Sequence, residues 1–125
     1  MSSTSATPNK YPNPNELTWS RSEKAIARKA FDAALKRELH EIMQEAKQKA
    51  KEMREPADVW ELERYLTQRR KDIDRRYEFR NSRLKDVLGR LLYENRLVEE
   101  DLRGLSPDKV ERIRSFSQFL AEDVA

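Results

Sequence analysis

The residues with most chemical capacity in this chain are its arginines, and three of them stand where apolar side chains are expected. Between Asp58 and Arg80 the sequence reads DVWELERYLTQRRKDIDRRYEFR, without glycine or proline. Val59, Leu62, Leu66, Ile73 and Tyr77 step by three, four, seven and four, which lays them along one side of a helix. Arg69 and Arg70 fill the seven-residue gap, and Arg80 continues the stripe before Leu84 resumes it. A guanidinium set into an apolar seam is costly unless a carboxylate meets it. Too little chain remains to cover this helix on all sides, so the spacing predicts that the seam packs against another long helix, from a second copy of the chain.

Other residue types offer little for bond-making chemistry. His40 is the single histidine and there are no cysteines, so no zinc set can be assembled from such ligands. A His, Ser and Asp triad would have to be built from His40 on an exposed helix. The carboxylates lie beside lysines and arginines and read as surface pairs rather than tuned acids. Gly89 and Gly104 are isolated and make no phosphate loop. The expectation is a protein without catalytic residues, cofactor or metal, whose product is a surface.

The chain is 125 residues long, 39% charged and 37% hydrophobic, with a mean hydropathy of -1.02. Such a composition suits long amphipathic helices with narrow apolar faces, and a monomer of that kind buries little. A homodimer would supply the missing core. The net charge of +3 and a pI near 9.2 suggest nucleic acid until the charges are placed. Acidic and basic residues interleave in every segment, as on a solvated, ion-paired helix surface, which argues against nucleic-acid binding. No apolar run reaches the roughly 18–20 residues of a membrane span, and MSSTSATPNKYPNPNE lacks the layout of a signal peptide. A cytoplasmic protein is expected.

The elements that must position these residues are all helical. Residues 1–18 form a Ser-, Pro- and Asn-rich tail. Helix one begins at Ser20, whose spacing to Glu23 fits a capping box. Its stripe runs Ala27, Phe31, Leu35, Leu39, Ile42, Ala46, Ala50 and Met53 until Pro56 forces a stop. Asp58 and Glu61 repeat the capping spacing for helix two, and the short connection predicts a hairpin or a sharply bent pair. Trp60 sits on the shoulder of the second stripe, where core packing and an interface anchor fit equally. Asn81 and Ser82 mark a break. Leu84, Val87, Leu88, Leu91 and Leu92 make a third helix, and Leu97 to Leu102 a short piece closed by Gly104. Ser106 then caps a last helix with Pro107 in its first position, facing inward through Val110, Ile113, Phe116 or Ser117, and Leu120. The reading is all-α: two long amphipathic helices forming a dimerising stalk over 19–80, and a small helical head over 81–125.

Laid out this way, the chain resembles the fluorescence recovery protein family of cyanobacteria. The carriers are Trp19-Ser20, Phe31, Arg37-Glu38-Leu39, Asp58, Trp60, Leu62, Leu66, Arg70, Ile73-Asp74, Tyr77, Arg80, Ser82, Leu91, Glu94, Leu102, Leu105, Asp108-Lys109 and Ile113, which fall in register without gaps. The resemblance implies a dimer through the long helices with a helical head at each end. It implies a non-enzymatic regulator without cofactor that binds the photoactivated orange carotenoid protein, through that protein's C-terminal domain, and speeds its return to the resting form. That return ends quenching at the phycobilisome, which would place the protein at the cytosolic face of thylakoid membranes. By the same resemblance the dimer interface uses Trp60 and Arg70, with Leu62, Leu66, Ile73, Glu63 and Arg64 around them. The head contacts the partner at Asp86 and Arg112, with Lys109 and Leu88 beside them.

Two departures bear on that reading. Where the family has an acidic residue to pair with its interface arginine this chain has Arg64, and where it has histidine this chain has Glu63. Glu63, two turns before Arg70, is the carboxylate expected to take over the pairing. In the head, an apolar run becomes Arg83-Leu84-Lys85-Asp86-Val87-Leu88, and Asp86 replaces a phenylalanine that touches the carotenoid protein. A helical adaptor with the same architecture and another protein partner is therefore the competing reading. A small helical nucleic-acid binder built on Arg75, Arg76, Arg80 and Arg83 is the third.

Overall fold

The structure, a computed structural model, describes residues 17–124; most of the tail expected over residues 1–18 lies outside them. Among the described residues there are four α-helices, α1 (Arg21–Lys51), α2 (Asp58–Arg76), α3 (Leu84–Tyr93) and α4 (Pro107–Val124), with a 3-10 turn at Glu99–Leu102 between the last two. The all-helical expectation holds.

The start of α1 follows from its cap. Ser20 Oγ accepts the Glu23 amide at 3.1 Å, and the Glu23 carboxylate accepts the Ser20 amide at 3.1 Å. Its 31 residues make a rod of about 47 Å. The corner differs from expectation. Asp58 does not cap α2 from outside; it is the first helical residue, and its carboxylate turns back to accept the amides of Arg54 and Glu55 at 2.8 and 3.0 Å. The Pro56 corner leaves those two amides without helical partners, and Asp58 is the acceptor in reach. Helix α2 then runs antiparallel to α1. Lys49 lies 5.0 Å from the Tyr65 ring centroid near the corner, and Arg69 meets Glu38 further along.

Helix α2 ends at Arg76, before the break expected at Asn81. Residues Tyr77 and Phe79 both pack edge-on against Phe31, with ring centroids at 5.3 and 5.4 Å. Residues two apart point to different sides of a helix but to the same side of an extended chain. Leaving the helix is what lets both rings reach Phe31.

The core lies at one end of the molecule. Ala27, Ala30, Phe31 and Ala34 of α1 pack with Leu84, Val87, Leu88 and Leu91 of α3, with Leu97, Leu102 and Leu105 of the connecting segment, and with Ile113 of α4. Three alanines on α1 permit a close approach. The buried cluster thus crosses residue 80, the boundary expected between stalk and head: the first half of α1 shares its core with the C-terminal helices. At Gly104 the backbone has φ +100, and an added Cβ would stand 2.6 Å from Ile26 Cδ1. The positive φ is what calls for glycine, since the Ile26 methyl group could turn aside. No helix among the described residues is long and apolar enough to cross a membrane.

Candidate functional site

Three groups of side chains stand out: an exposed row on the helix pair, a buried charge cluster where that pair meets the core, and a cavity at the α3–α4 end.

The exposed row comes from α2. This helix has no fully buried residue. Leu62, Tyr65 and Ile73 are half-buried toward α1, while Val59, Trp60 and Leu66 are exposed, Trp60 at 62%. Arg64 and Arg70 are exposed beside them. Glu63 is exposed too, and within the chain its carboxylate accepts the Thr67 hydroxyl at 2.9 Å. On α1, Leu39 and Met43 are exposed as well. For Trp60, the alternative of core packing against α1 is excluded within this chain by its exposure.

The buried cluster centres on Glu38, which the sequence marks only as a carrier of the family resemblance. Glu38 is 0% exposed. Its Oε2 accepts Arg69 Nη2 at 2.6 Å and Arg76 Nη2 at 2.5 Å, and its Oε1 accepts the Tyr77 hydroxyl at 2.9 Å. Arg96 Nε lies 3.3 Å from Oε1. Glu94 receives the other hands of Arg76 and Arg96 at 2.8 and 2.7 Å. Burial pushes the Glu38 carboxyl up, but the hydrogen bonds from Arg76 and Tyr77 and the charges of Arg76 and Arg96 outweigh it and hold it below the ordinary value. Burial, then the bond to Glu38, pushes the Tyr77 phenol well up. Arg69, which the sequence placed in a seam between copies, is thus paired within its own chain. The cluster ties α1, α2 and the loop after α3 at one point.

The signal for Glu38 was present. Ala27, Ala30, Phe31, Ala34 and Glu38 form one stripe with steps of three, one, three and four. A helix turns 100° per residue, so the repeated steps of four from Ala27 to Leu39 drift about 40° each time and leave that face. Following steps of three as well as four leads to a carboxylate on the apolar side.

The residues expected to face a partner at the head divide. Leu88 is fully buried in the core. Lys109 is buried, with Nζ 3.1 Å from Glu23 Oε1 and 5.4 Å from the Trp19 ring centroid. Both are structural here, and a free contact surface excludes them. The Glu23 carboxyl, which also accepts the Ser106 amide at 2.9 Å, is held at about 2 by the amides of Ser106 and Ser20 and by Lys109. Asp86 and Arg112 are half-exposed; Asp86 lies 3.4 Å from Lys85 Nζ, and Arg112 pairs with Asp108 at 3.5 Å.

Asp86 lines a cavity of about 420 Å³ with Arg75, Arg76, Glu78, Arg83, Val87, Arg90 and Phe116. Arg112 lies one helical turn before Phe116, on the same side of α4. No group of three or more His, Cys, Asp or Glu side chains among the described residues is placed to hold a metal ion.

Comparison with known proteins gives one consistent result. Residues 19–117 match the family described as photoprotection regulator fluorescence recovery protein. The chain is 30% identical over 103 residues to the fluorescence recovery protein of Synechocystis sp., an alignment covering 82% of this chain and 94% of that protein. The structure of the fluorescence recovery protein of Fremyella diplosiphon superposes with a TM-score of 0.75 at 33% identity, and that from Synechocystis with 0.76 at 30%. Each superposition covers 81% of this chain and 99% of the other.

Proposed function

From the premise that the chain belongs to the fluorescence recovery protein family, we propose that it is a non-enzymatic, homodimeric regulator of photoprotection. In this reading it binds the photoactivated orange carotenoid protein through that protein's C-terminal domain. It speeds the return to the resting orange form and so ends phycobilisome quenching, in the cytoplasm at the thylakoid face. The observation that carries the reading is the match over residues 19–117, which runs through both helix pairs rather than through one motif.

The mechanism that suits such a protein is differential binding. A partner that grips the intermediate between two conformations more tightly than either end state lowers the barrier between them without any bond-making step. A dimer would present two such surfaces on a fixed scaffold, with Val59, Trp60 and Leu66 covered between copies and Arg70 paired with Glu63 of the second copy. The α3–α4 end, carrying Asp86 and Arg112, remains free in that arrangement to face the partner.

The test is direct. Purified protein is mixed with photoactivated orange carotenoid protein and the loss of red absorbance is timed in the dark. Faster recovery that saturates with added protein supports the reading; an unchanged rate at saturating concentration removes the function and leaves the fold. A second reading, an adaptor of the same architecture with a different protein partner, is favoured by Asp86 and its charged surroundings. It predicts an unchanged recovery rate together with capture of another protein, lost on changing Asp86 or Arg112.

A further inference from the structure

We infer that the cavity between the end of α2, α3 and α4 takes an acidic polypeptide segment carrying one apolar side chain, contributed by the protein's partner. The inference rests on the reading of the α3–α4 end as partner-facing and adds what that partner must present there.

Four arginines and two carboxylates line the cavity. One of the four, Arg76, is turned inward to Glu38 and Glu94. Both carboxylates are already engaged: Glu78 pairs with Arg80 at 2.9 Å, and Asp86 lies 3.4 Å from Lys85 Nζ. The remaining arginines keep donors to spare. Arg75 is exposed and reaches Asp72 at 2.8 Å through one nitrogen. Arg83 approaches Glu78 only to 3.9 Å, and Arg90 is exposed. Free guanidinium forks of this kind are matched by carboxylates, which accept two parallel hydrogen bonds each.

The floor supplies the second requirement. Val87 and Phe116 give the cavity an apolar patch. The Phe116 ring lies close against α3 at Gly89, where an added Cβ would stand 2.8 Å from Phe116 Cδ2. Phe119, 58% exposed, stacks on it with centroids 6.1 Å apart. That pair carries the apolar floor out to the surface. An aromatic or aliphatic side chain laid on it would be flanked by Arg83 and Arg90. A purely polyanionic strand would cover the floor poorly and would meet Glu78 and Asp86. An isolated apolar anchor with acidic neighbours suits both parts of the cavity.

The experiment uses the whole protein and a fluorescein-labelled peptide of aspartates and glutamates around one central phenylalanine. Two control peptides carry amides in place of the acids, or alanine in place of the phenylalanine. A labelled single-stranded oligonucleotide is the fourth probe. Anisotropy titrations at physiological salt are expected to show the acidic phenylalanine peptide binding at least about tenfold more tightly than either control. The variant Arg83→Glu with Arg90→Glu, at exposed positions, is expected to abolish that preference. Phe116→Ala is expected to bring the acidic phenylalanine peptide to the level of its alanine control. Failure of all peptides to bind up to millimolar concentration overturns the inference. So does binding untouched by the double reversal, equal binding of the alanine peptide, or tighter binding of the oligonucleotide. No carotenoid protein is present, so failure here leaves the recovery reading standing. A protein that binds the peptide but leaves the recovery rate unchanged fails the other way.

Discussion

One carboxylate, Glu38, answers Arg69, Arg76 and Arg96 from a fully buried position. Removing its charge would leave Arg76 and Arg96 to Glu94, with Glu41 also on Arg96, and Arg69 with only Asp72 at 4.0 Å. Breaking a buried pair from one side costs about 3 kcal/mol, which for a chain of this size lowers Tm by roughly 10 °C. Glu38→Gln, followed by circular dichroism on heating at fixed protein concentration, is expected to show that fall. A drop of only about 1 °C would mean that the cluster contributes almost nothing. Glu23 gives a prediction in pH. Its carboxyl stands at about 2 in the folded chain against an ordinary 4.5. A lowered value means that the stability it contributes is complete above about pH 4.5 and is lost as pH falls from there toward 2. Glu23→Gln keeps a side chain suited to the capping box and is expected to flatten the acid limb of the urea midpoint over that window. Glu38, Glu99 and Asp101 are also lowered, so part of the limb remains. In the sequence, Glu23 was legible as a cap because its partner is three residues away. Its bond to the Ser106 amide and its pairing with Lys109 span most of the chain and leave no local mark.

At the scale of elements, chain punctuation carried most of the information. Ser20, Pro56, Gly104 and Ser106-Pro107 placed the helix starts and stops within a few residues, because each acts on the backbone beside it. The end of α2 was not legible, since it depends on Phe31, over forty residues earlier, drawing Tyr77 and Phe79 to one side. Gly89 was legible only as an isolated glycine. Its role is the approach of α3 to α4, where an added Cβ would meet Phe116 Cδ2 at 2.8 Å and the Ile113 carbonyl oxygen at 3.1 Å. In an exposed helix, glycine to alanine would stabilise by up to about 1 kcal/mol. Here overpacking costs about 1–3 kcal/mol and outweighs that gain, so Gly89→Ala is expected to lower the urea midpoint. A raised midpoint would show that the two helices can part at no cost.

Of the arginines that the α2 pattern sets in one seam, the fold divides two neighbours. Arg69 is paired within the chain by Glu38, whereas Arg70 is exposed one turn after Leu66 on a helix that buries no residue fully. The amphipathic pattern made α2 visible, but a stripe alone does not say which edge meets α1 and which meets a second copy. Tyr65 and Arg69 mark the first edge, while Val59, Trp60 and Leu66 remain for the second. If copies clasp along this row, Trp60→Ala removes a large aromatic anchor and is expected to weaken the dimer by about 2 kcal/mol, roughly thirtyfold in Kd. Arg70→Leu and Glu63→Gln separate general burial from pairing. Should Arg70 meet Glu63 of the second copy, each change weakens the dimer and the double change does little more than either, because both remove one interaction. Additive losses would mean that the two residues act apart. Light scattering over a dilution series reads the mass, and far-ultraviolet circular dichroism confirms that the helices persist. A mass at the dimer value in Trp60→Ala combined with Arg70→Leu, held down to nanomolar protein, would move the interface off this face of α2.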